Sequence, residues 1–400
     1  MLRKLLKQRG LPRAGRIYIV FSGLISLVYE IPGAYFILML YKFGVSPERI
    51  GFILLVYHIT ILLFDYPTGA IADRFGRKRT YCLGLVLEGS AFVTFSLAKD
   101  YSVMLLAAVI SGLGVANMSG SFVAWVVDEI REEVREEARY KDLMISIFSL
   151  AGGLSRAISI VSSFVASALA SFAIHIAVLV PGILLIVTGL VLMVVGRENY
   201  GSLRKSPITI AVDGLKYAFK EKRFLLCTAS YCLIFGAFWA FAITWQIFLS
   251  DVFRLSRESY GLLYSMMLLS ASLGSFLAPL ISKRISEKGV LTLVLAGLAV
   301  SFVILGITRE FITSIATILL IEFWSGAMLP PLRTVLNLLI PSEYRTSLLS
   351  LISSVGSLTR ALVSPLAGVM LVSLGYSLLY PVVAFVWIVA LLTLRSALAS

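Results

Sequence analysis

The residues Gly69-Ala-Ile-Ala-Asp73-Arg74-Phe75-Gly76-Arg77-Lys78-Arg79 form a short charged segment between two long apolar stretches. The flanking stretches, 48–72 and 80–98, are each long enough to cross the hydrocarbon core of a bilayer, which takes about 20 apolar residues. A cluster of Lys and Arg at such a junction is typical of the cytoplasmic side of a membrane. The segment therefore predicts two spanning helices joined by a tight cytoplasmic turn.

The composition of the whole chain also indicates a membrane protein. Of its 400 residues, 59% are hydrophobic and 14% are charged, and its mean hydropathy is +0.94. A soluble protein of this composition would have too little polar surface to cover itself. The three cysteines, Cys82, Cys227 and Cys232, lie in apolar stretches, which disfavours a disulfide framework. The sequence contains neither a phosphate-binding loop for ATP nor a metal-ligand spacing.

Twelve spanning helices are predicted along the chain. We place them at 16–41, 48–72, 80–98, 102–128, 142–169, 173–196, 224–250, 258–282, 289–308, 311–340, 345–373 and 376–398. An even number puts both termini on one side, and the loops on that side carry most of the Lys and Arg residues between the helices. The positive-inside rule therefore predicts cytoplasmic termini and a multi-pass protein of the cell membrane.

The polar stretch 197–223 divides the helices into two sets of six. We accordingly expect a basic cytoplasmic tail at 1–15, a six-helix bundle at 16–196, a cytoplasmic linker at 197–223 and a second bundle at 224–400. The stretch 149–157, SLAGGLSRA, resembles 353–361, SSVGSLTRA, which indicates that the two halves repeat each other. Two related halves are typical of transporters with a binding site at the middle of the membrane.

The linker also contains a predicted amphipathic helix. It begins at Ser206-Pro207, and apolar residues recur along one face up to Phe219. Because the linker is basic, we expect this helix to lie on the anionic inner leaflet of the bilayer. The alternative is a plain basic tether.

Ionisable residues lie at membrane depth in several of the predicted helices. Such residues are costly in lipid and usually mark a pathway, a proton relay or a locked ion pair. The residues concerned are Glu30, Asp65, Glu88, Arg156, Glu322 and Arg360.

The opening segment resembles the loop between the second and third helices of the major facilitator superfamily, whose pattern is G-x-x-x-D-R-x-G-R-K. The resemblance implies an all-α fold of twelve transmembrane helices in two pseudo-symmetric six-helix bundles. It implies a secondary transporter of small molecules, not an enzyme, that needs no cofactor and is driven by a proton or other ion gradient. It also implies a monomer with no nucleic-acid partner.

The resemblance further implies a cytoplasmic gate. Asp73 would face the start of helix 11 at 342–346, where the helix dipole favours negative charge. Arg77 would reach Asp128 at the inner end of helix 4, and Gly69 and Gly76 would permit close backbone approach. Anchoring at the inner leaflet is expected of two further residues, Arg74 and Lys78. Alternatively, Arg74, Lys78 and Arg79 only enforce topology.

Helices 1, 4, 7 and 10 would line the central cavity of such a transporter. Glu30 and Glu322 would then be cavity acids that exchange a proton for substrate. Asp65, with His58 seven residues before it, suggests a proton path along helix 2. The alternative is a structural pair within each half: Glu30 with Arg156, and Glu322 with Arg360.

Aromatic and polar residues of three helices are candidates for substrate contact. On helix 7 they are Trp239, Trp245 and Gln246; on helix 1, Tyr29 and Tyr35; and on helix 10, Trp324. Aromatic side chains on membrane helices also serve as contacts to lipid and to neighbouring helices, and this alternative stays open.

The function that the sequence favours is export of small organic molecules by alternating access, coupled to proton entry. Two departures from the family pattern count against antiport. Ala108 stands where helix 4 of many proton-coupled relatives has an arginine, and residues 142–169 contain no proline and so lack the Gly-Pro motif usual in helix 5 of drug/proton antiporters. Nutrient or metabolite uptake by a symporter or facilitator is therefore the alternative. A polytopic membrane enzyme or a non-transporting sensor is the alternative from another class, although no cluster of catalytic residues indicates an enzyme.

Overall fold

The structure is a computed structural model that describes residues 11–134, 136–200, 221–339 and 345–399. Within these ranges the regular elements are helices, and there is no strand. The basic residues at 1–10 and the predicted linker helix from 206 to 219 lie outside the described residues.

In the described part of the chain, twelve helices are long and apolar enough to cross a membrane, which confirms the predicted number. We label them α1 to α12 in chain order. Their bounds are Arg13–Gly33 continued by Phe36–Lys42 (α1), Pro47–Phe75 (α2), Arg77–Leu97 (α3), Tyr101–Met118 continued by Ser121–Glu133 (α4), Glu137–Phe172 (α5), Ile176–Val194 (α6), Lys222–Phe253 (α7), Arg257–Ser286 (α8), Lys288–Ile307 (α9), Phe311–Leu339 (α10), Arg345–Leu374 (α11) and Tyr376–Ala399 (α12).

Three positions of irregular backbone interrupt or join these helices. Helix α1 breaks just after Pro32, whose backbone nitrogen has no hydrogen to donate to the helix. Helix α4 breaks at Gly120, which has a left-handed backbone with φ of 69°. Helices α8 and α9 are continuous except for a sharp kink at Ser286, where φ is 66°.

The described residues fall into two compact units. Unit 1 comprises 11–39, 56–200 and 257–262, and unit 2 comprises 40–55, 221–256 and 263–399. Each unit therefore takes a short segment from the other half of the sequence.

In unit 1, α3 packs on α4 and α6, and α1 packs on α5. Glycines lie where the helices approach most closely. A Cβ atom on Gly84 of α3 would lie 2.7 Å from the carbonyl oxygen of Gly114 in α4. Between helices in lipid, small residues of this kind allow the close packing and hydrogen bonding that replace the hydrophobic effect.

In unit 2, α7 packs on α11 and α12. The hydroxyl of Ser230 in α7 donates a hydrogen bond of 2.9 Å to the carbonyl of Ala390 in α12. Large rings fill the interior: Phe302 stacks on Trp387 at 6.2 Å, and Phe248 meets Tyr380 edge-on at 5.7 Å. Offset and edge-on ring pairs are the favoured geometries, so this core is held by specific packing.

Candidate functional site

The charged segment forms a turn of one residue between α2 and α3. Helix α2 ends at Phe75, and α3 begins at Arg77. Gly76 between them has φ of 115° and ψ of 129°, a conformation that side chains other than glycine rarely adopt. The turn therefore fixes where the side chains of Asp73 and Arg77 meet.

The guanidinium of Arg77 joins three helices. Its Nε donates to Asp73 Oδ1 at 3.0 Å, and its Nη1 donates to the carboxylate of Asp128 in α4. The same Nη1 also reaches the carbonyl oxygen of Ala124 at 3.3 Å. The side chain of Arg77 is 15% exposed, whereas those of Asp73 and Asp128 are 38% and 44% exposed. We call Asp73, Arg77 and Asp128 the Arg77 network.

The structure thus brings Arg77 and Asp128 together, as the sequence indicated. The expected contact of Asp73 is with the start of α11 at 342–346, of which 342–344 lie outside the described residues. Among the described residues, nothing lies within 4 Å of a Cβ placed on Gly69, so this glycine borders open space. The guanidinium of Arg74, in turn, lies 5.5 Å from the ring centre of Phe75.

Lys78 lies in a different place from the one expected. The sequence suggested an anchor at the membrane surface, but the side chain is 4% exposed. Its Nζ donates to the carbonyls of Met193, Val195 and Gly196, which end helix α6. A cation at a helix C-terminus is favoured by the helix dipole. Lys78 therefore ties the start of α3 to the end of α6.

Two residues that the sequence did not single out complete this region. The carboxylate of Glu198 accepts hydrogen bonds from the backbone N–H groups of Lys78 and Arg79, at 2.8 and 3.0 Å. The Asn199 carbonyl accepts one from the N–H of Arg77 at 3.1 Å. The only signal in the sequence was an acidic residue at the start of a mainly basic linker, which does not reveal a partner 120 residues away.

The intramembrane charges of unit 1 divide into buried and exposed groups. Glu88 of α3 is 2% exposed and accepts a hydrogen bond of 2.6 Å from the hydroxyl of Ser111 in α4. Glu30 of α1 accepts a longer one, 3.4 Å, from the hydroxyl of Ser159 in α5. Asp65 and Arg156, by contrast, are exposed although they lie within spanning helices.

In unit 2 the two coupling candidates bond to neighbours on their own helices. Glu322 lies beside the hydroxyl of Ser325 at 3.4 Å, and Arg360 Nη2 donates to the hydroxyl of Ser357 at 3.1 Å. Serine hydroxyls thus lie next to three of the intramembrane charges, Glu30, Glu322 and Arg360.

Most of the aromatic candidates pack inside the units. Tyr35 is fully buried, and its hydroxyl donates to the carbonyl of Arg257 at 2.8 Å and accepts from the N–H of Gly261 at 3.0 Å. Trp324 covers Gly297 of α9, where an added Cβ would lie 2.6 Å from the indole. Tyr29 meets the ring of Phe92 at 6.1 Å.

The helix α7 candidates are held by neighbours in unit 2. The indole Nε1 of Trp239 donates to the hydroxyl of Ser364 in α11 at 2.9 Å. Trp245 is 3% exposed and lies parallel to the ring of Tyr264 at 6.3 Å, and Gln246 is 1% exposed. Trp239 is half-buried and is therefore the most exposed of these three side chains.

Comparison with known proteins finds relatives of this chain both by sequence and by fold. The family model of the Major Facilitator Superfamily matches residues 19–245 and 227–398. The uncharacterized MFS-type transporter YxaM of Bacillus subtilis (strain 168) is 26% identical over 375 residues, 92% of each chain. The quinolone resistance protein NorA of Staphylococcus aureus is 24% identical over 112 residues, 28% of each chain.

Two solved structures have the same fold. The nucleoside transporter NupG superposes with a TM-score of 0.81 at 12% identity, covering 97% of this chain and 100% of NupG. A bacterial homolog of the human lysosomal transporter Spinster, inward-facing and unoccupied, has a TM-score of 0.71 at 14% identity, covering 96% of this chain and 95% of its own.

Proposed function

Because this chain belongs to the Major Facilitator Superfamily, and is therefore a multi-pass membrane transporter and not an enzyme, we propose that it exports small organic molecules by alternating access in exchange for protons. Protons or another ion gradient would supply the driving force. The proposed site is the cell membrane, with both termini in the cytosol, as the basic loops require under the positive-inside rule. A monomer suffices for this function.

The observation that carries the proposal is the exposure of Asp65 and Arg156 within spanning helices. A charged side chain at membrane depth avoids lipid and faces the bundle interior or a water-filled space. Gly152, one turn before Arg156, supports a space of this kind, since no described atom lies within 4 Å of its Cβ position. We take this space in unit 1 to be part of the substrate path.

Glu30 is the proposed proton carrier. Its carboxylate meets Ser159 on α5, one turn beyond the exposed Arg156. A hydroxyl accepts or donates a hydrogen bond, so Ser159 can serve both the ionised and the protonated carboxyl. Proton uptake at Glu30 would therefore change the charge of the path without removing its hydrogen bond. Glu322 would have the same part in unit 2, beside Ser325.

The Arg77 network is the proposed cytoplasmic gate. A transporter needs a contact that holds one state and releases in another. Both ion pairs of Arg77 are only partly buried, so their net strength is of the order of 1 kcal/mol each. That strength is enough to bias an equilibrium between states and small enough to be overcome when substrate binds.

The direction of transport rests on the similarity to NorA, which covers 28% of the chain. Uptake by a symporter or facilitator is the second candidate, since helix α5 has no proline in 142–169 and Ala108 stands where many proton-coupled relatives have arginine. Both candidates use the same fold and gate.

Purified protein in liposomes loaded with a pH-sensitive dye tests the proposal. Quinolones and nucleosides, the compounds in the names of NorA and NupG, serve as first substrates. Export by antiport predicts that an added substrate drives protons the opposite way. Proton movement in the same direction as the substrate identifies a symporter, and substrate flux without proton movement identifies a facilitator. Protein-free liposomes are the control.

A further inference from the structure

The segment after helix α6, residues 196–199, holds the start of α3 in place. We propose that Glu198, Asn199 and Lys78 are positioning residues of the gate, which fix the orientation of Arg77 and couple it to the chain leaving α6. We call these three residues the α6 clamp. The inference depends on the proposed gating role of Arg77, and the experiment below separates the two.

Helix α3 has no cap of its own. The first N–H groups of a helix lack partners within the helix, and the side chain of the preceding residue usually supplies one. Here the preceding residue is Gly76, which has no side chain. The Asn199 carbonyl and the two oxygens of Glu198 instead accept the N–H groups of Arg77, Lys78 and Arg79. The cap is thus supplied from another part of the chain.

The glycine at 76 fits this arrangement. A Cβ on Gly76 would lie 2.6 Å from the carboxyl carbon of Glu198. The carboxylate therefore occupies the space that a side chain at 76 would need. Among the described residues, this close approach to Glu198 and the positive φ together explain why position 76 is a glycine.

Lys78 makes the reverse connection. Its Nζ lies 3.1 Å, 3.3 Å and 2.9 Å from the carbonyl oxygens of Met193, Val195 and Gly196. The last carbonyls of a helix lack partners, as the first N–H groups do. Lys78 thus caps the end of α6, and Glu198 caps the start of α3. The end of α6 is thus capped by a side chain of α3, and the start of α3 by a side chain that follows α6.

The clamp also reaches helix α4, which carries Asp128. The Asn199 Nδ2 donates to the carbonyl of Trp125 at 2.9 Å and to Glu129 Oε1 at 3.3 Å. The indole of Trp125 donates in return to the carbonyl of Arg197 at 2.9 Å. The segment 196–199 therefore fixes both helices that the Arg77–Asp128 pair joins. Displacement of this segment would loosen both sides of that pair.

Two measurements test the clamp without a known substrate. The first is amide hydrogen exchange of 77–79 in purified protein, where Glu198→Ala should speed exchange by about 2- to 30-fold, the range for a lost helix cap. Glu198→Gln, which keeps one acceptor oxygen, should give a smaller increase. The second is maleimide labelling from the cytoplasmic side of a cysteine introduced at the exposed Ser149 of α5, in a protein whose three native cysteines are replaced.

Both Glu198→Gln and Lys78→Gln should increase this labelling, as weakening of a cytoplasmic gate would. The matched control is Arg79→Gln, which removes one positive charge from the same turn. Its side chain is 63% exposed, so its 3.8 Å ion pair with Glu198 contributes little. The control substitution should leave labelling unchanged. Equal effects of Lys78→Gln and Arg79→Gln would mean that Lys78 contributes only a positive charge that sets membrane topology, and would overturn the proposal.

A charge exchange gives the sharpest result. The carboxylate of Glu198 and the Nζ of Lys78 each bond to backbone groups, so Glu198→Lys with Lys78→Glu should fail to restore labelling or exchange. Restoration would mean a simple ion pair and contradict the clamp. Faster exchange without a change in labelling would make it structural only, which also overturns the positioning role. If Arg77→Gln itself leaves labelling unchanged, the proposed gate fails instead.

Discussion

Gly89 of α3 and Gly182 of α6 face each other so closely that a Cβ on either would lie within 3 Å of the partner's carbonyl oxygen, at 2.5 and 2.8 Å. This contact lies inside unit 1 and holds α6 against α3. The α6 clamp depends on it, since the residues that follow α6 reach the start of α3 only if the two helices stay in register.

Gly89→Ala and Gly182→Ala are expected to destabilise the protein by about 1–3 kcal/mol each, because overpacking forces the two helices apart. A thermal unfolding scan in detergent would show a lower Tm for both. Gly152→Ala on α5 is the control, since no described atom lies within 4 Å of that position. Its Tm should be unchanged or higher, because alanine is the better helix former. An equal loss in all three variants would contradict the packing argument.

The pair of Arg77 and Asp128 is expected to act as one unit. Asp128→Asn should shift the labelling of a cysteine at 149 by about fivefold, equivalent to about 1 kcal/mol, and Arg77→Gln should shift it further because it also loses the pair with Asp73. The double variant should match Arg77→Gln, because the interaction of Arg77 with Asp128 is lost only once. Additive shifts would show that the two residues act through different contacts.

Asp73→Asn is expected to bias the protein away from its outward-open state. The substitution removes the ion pair with Arg77 Nε, so a contact of α2 with α3 weakens. Labelling of single cysteines placed on the two sides of the membrane measures the shift. Accessibility identical to that of the unsubstituted protein would count against the gating role.

Glu30→Gln is expected to abolish proton-coupled flux while leaving the protein folded. Glutamine keeps a hydrogen-bonding group for Ser159 but cannot take up a proton near neutral pH. Flux in liposomes under an imposed pH gradient measures the coupling, and a normal elution profile confirms folding. The control is Glu310→Gln, since Glu310 is a fully exposed acid between two spanning helices. Substrate flux of this variant should remain coupled to protons. Unchanged coupling in Glu30→Gln would exclude Glu30 as the carrier.

Ser111→Ala is expected to lower stability by about 1 kcal/mol. The change leaves the buried carboxyl of Glu88 without the hydroxyl that donates to it at 2.6 Å. Ser90→Ala, also on α3, is the comparison, since that hydroxyl donates to the carbonyl of Val86 one turn back. Its effect should be smaller. A Tm shift of equal size in both would mean that Glu88 does not depend on Ser111.

The helices and one contact of the site could be predicted because they follow from local composition and a short motif. Twelve apolar stretches of sufficient length give twelve spans, and a motif at 69–79 places Arg77 near the end of α4. The partner of Lys78 could not be predicted. Its charge and position fit a membrane anchor equally well, and the carbonyls that it caps lie about 115 residues further along.

The segments exchanged between units were also beyond sequence reasoning. Residues 257–262 cluster with unit 1 although they belong to the second half of the sequence, and Tyr35 explains why. Its hydroxyl bonds to the backbone of Arg257 and Gly261, groups that every residue possesses. Such contacts leave no pattern in side-chain types, so a tyrosine expected in the substrate cavity turned out to hold a helix start.

The single-residue turn at Gly76 also sets the rotational phase of α3 relative to α2. A helix turns by about 100° per residue, so inserting one residue there would swing every side chain of α3 by that angle. Arg77 would leave Asp128, Lys78 would leave the end of α6, and Glu88 would leave Ser111, all together. The hydrogen bonds of α3 to α4 and to the end of α6 therefore all depend on the same rotation of α3 about its axis. The length of the turn at Gly76, more than any one charge, determines whether these bonds can form.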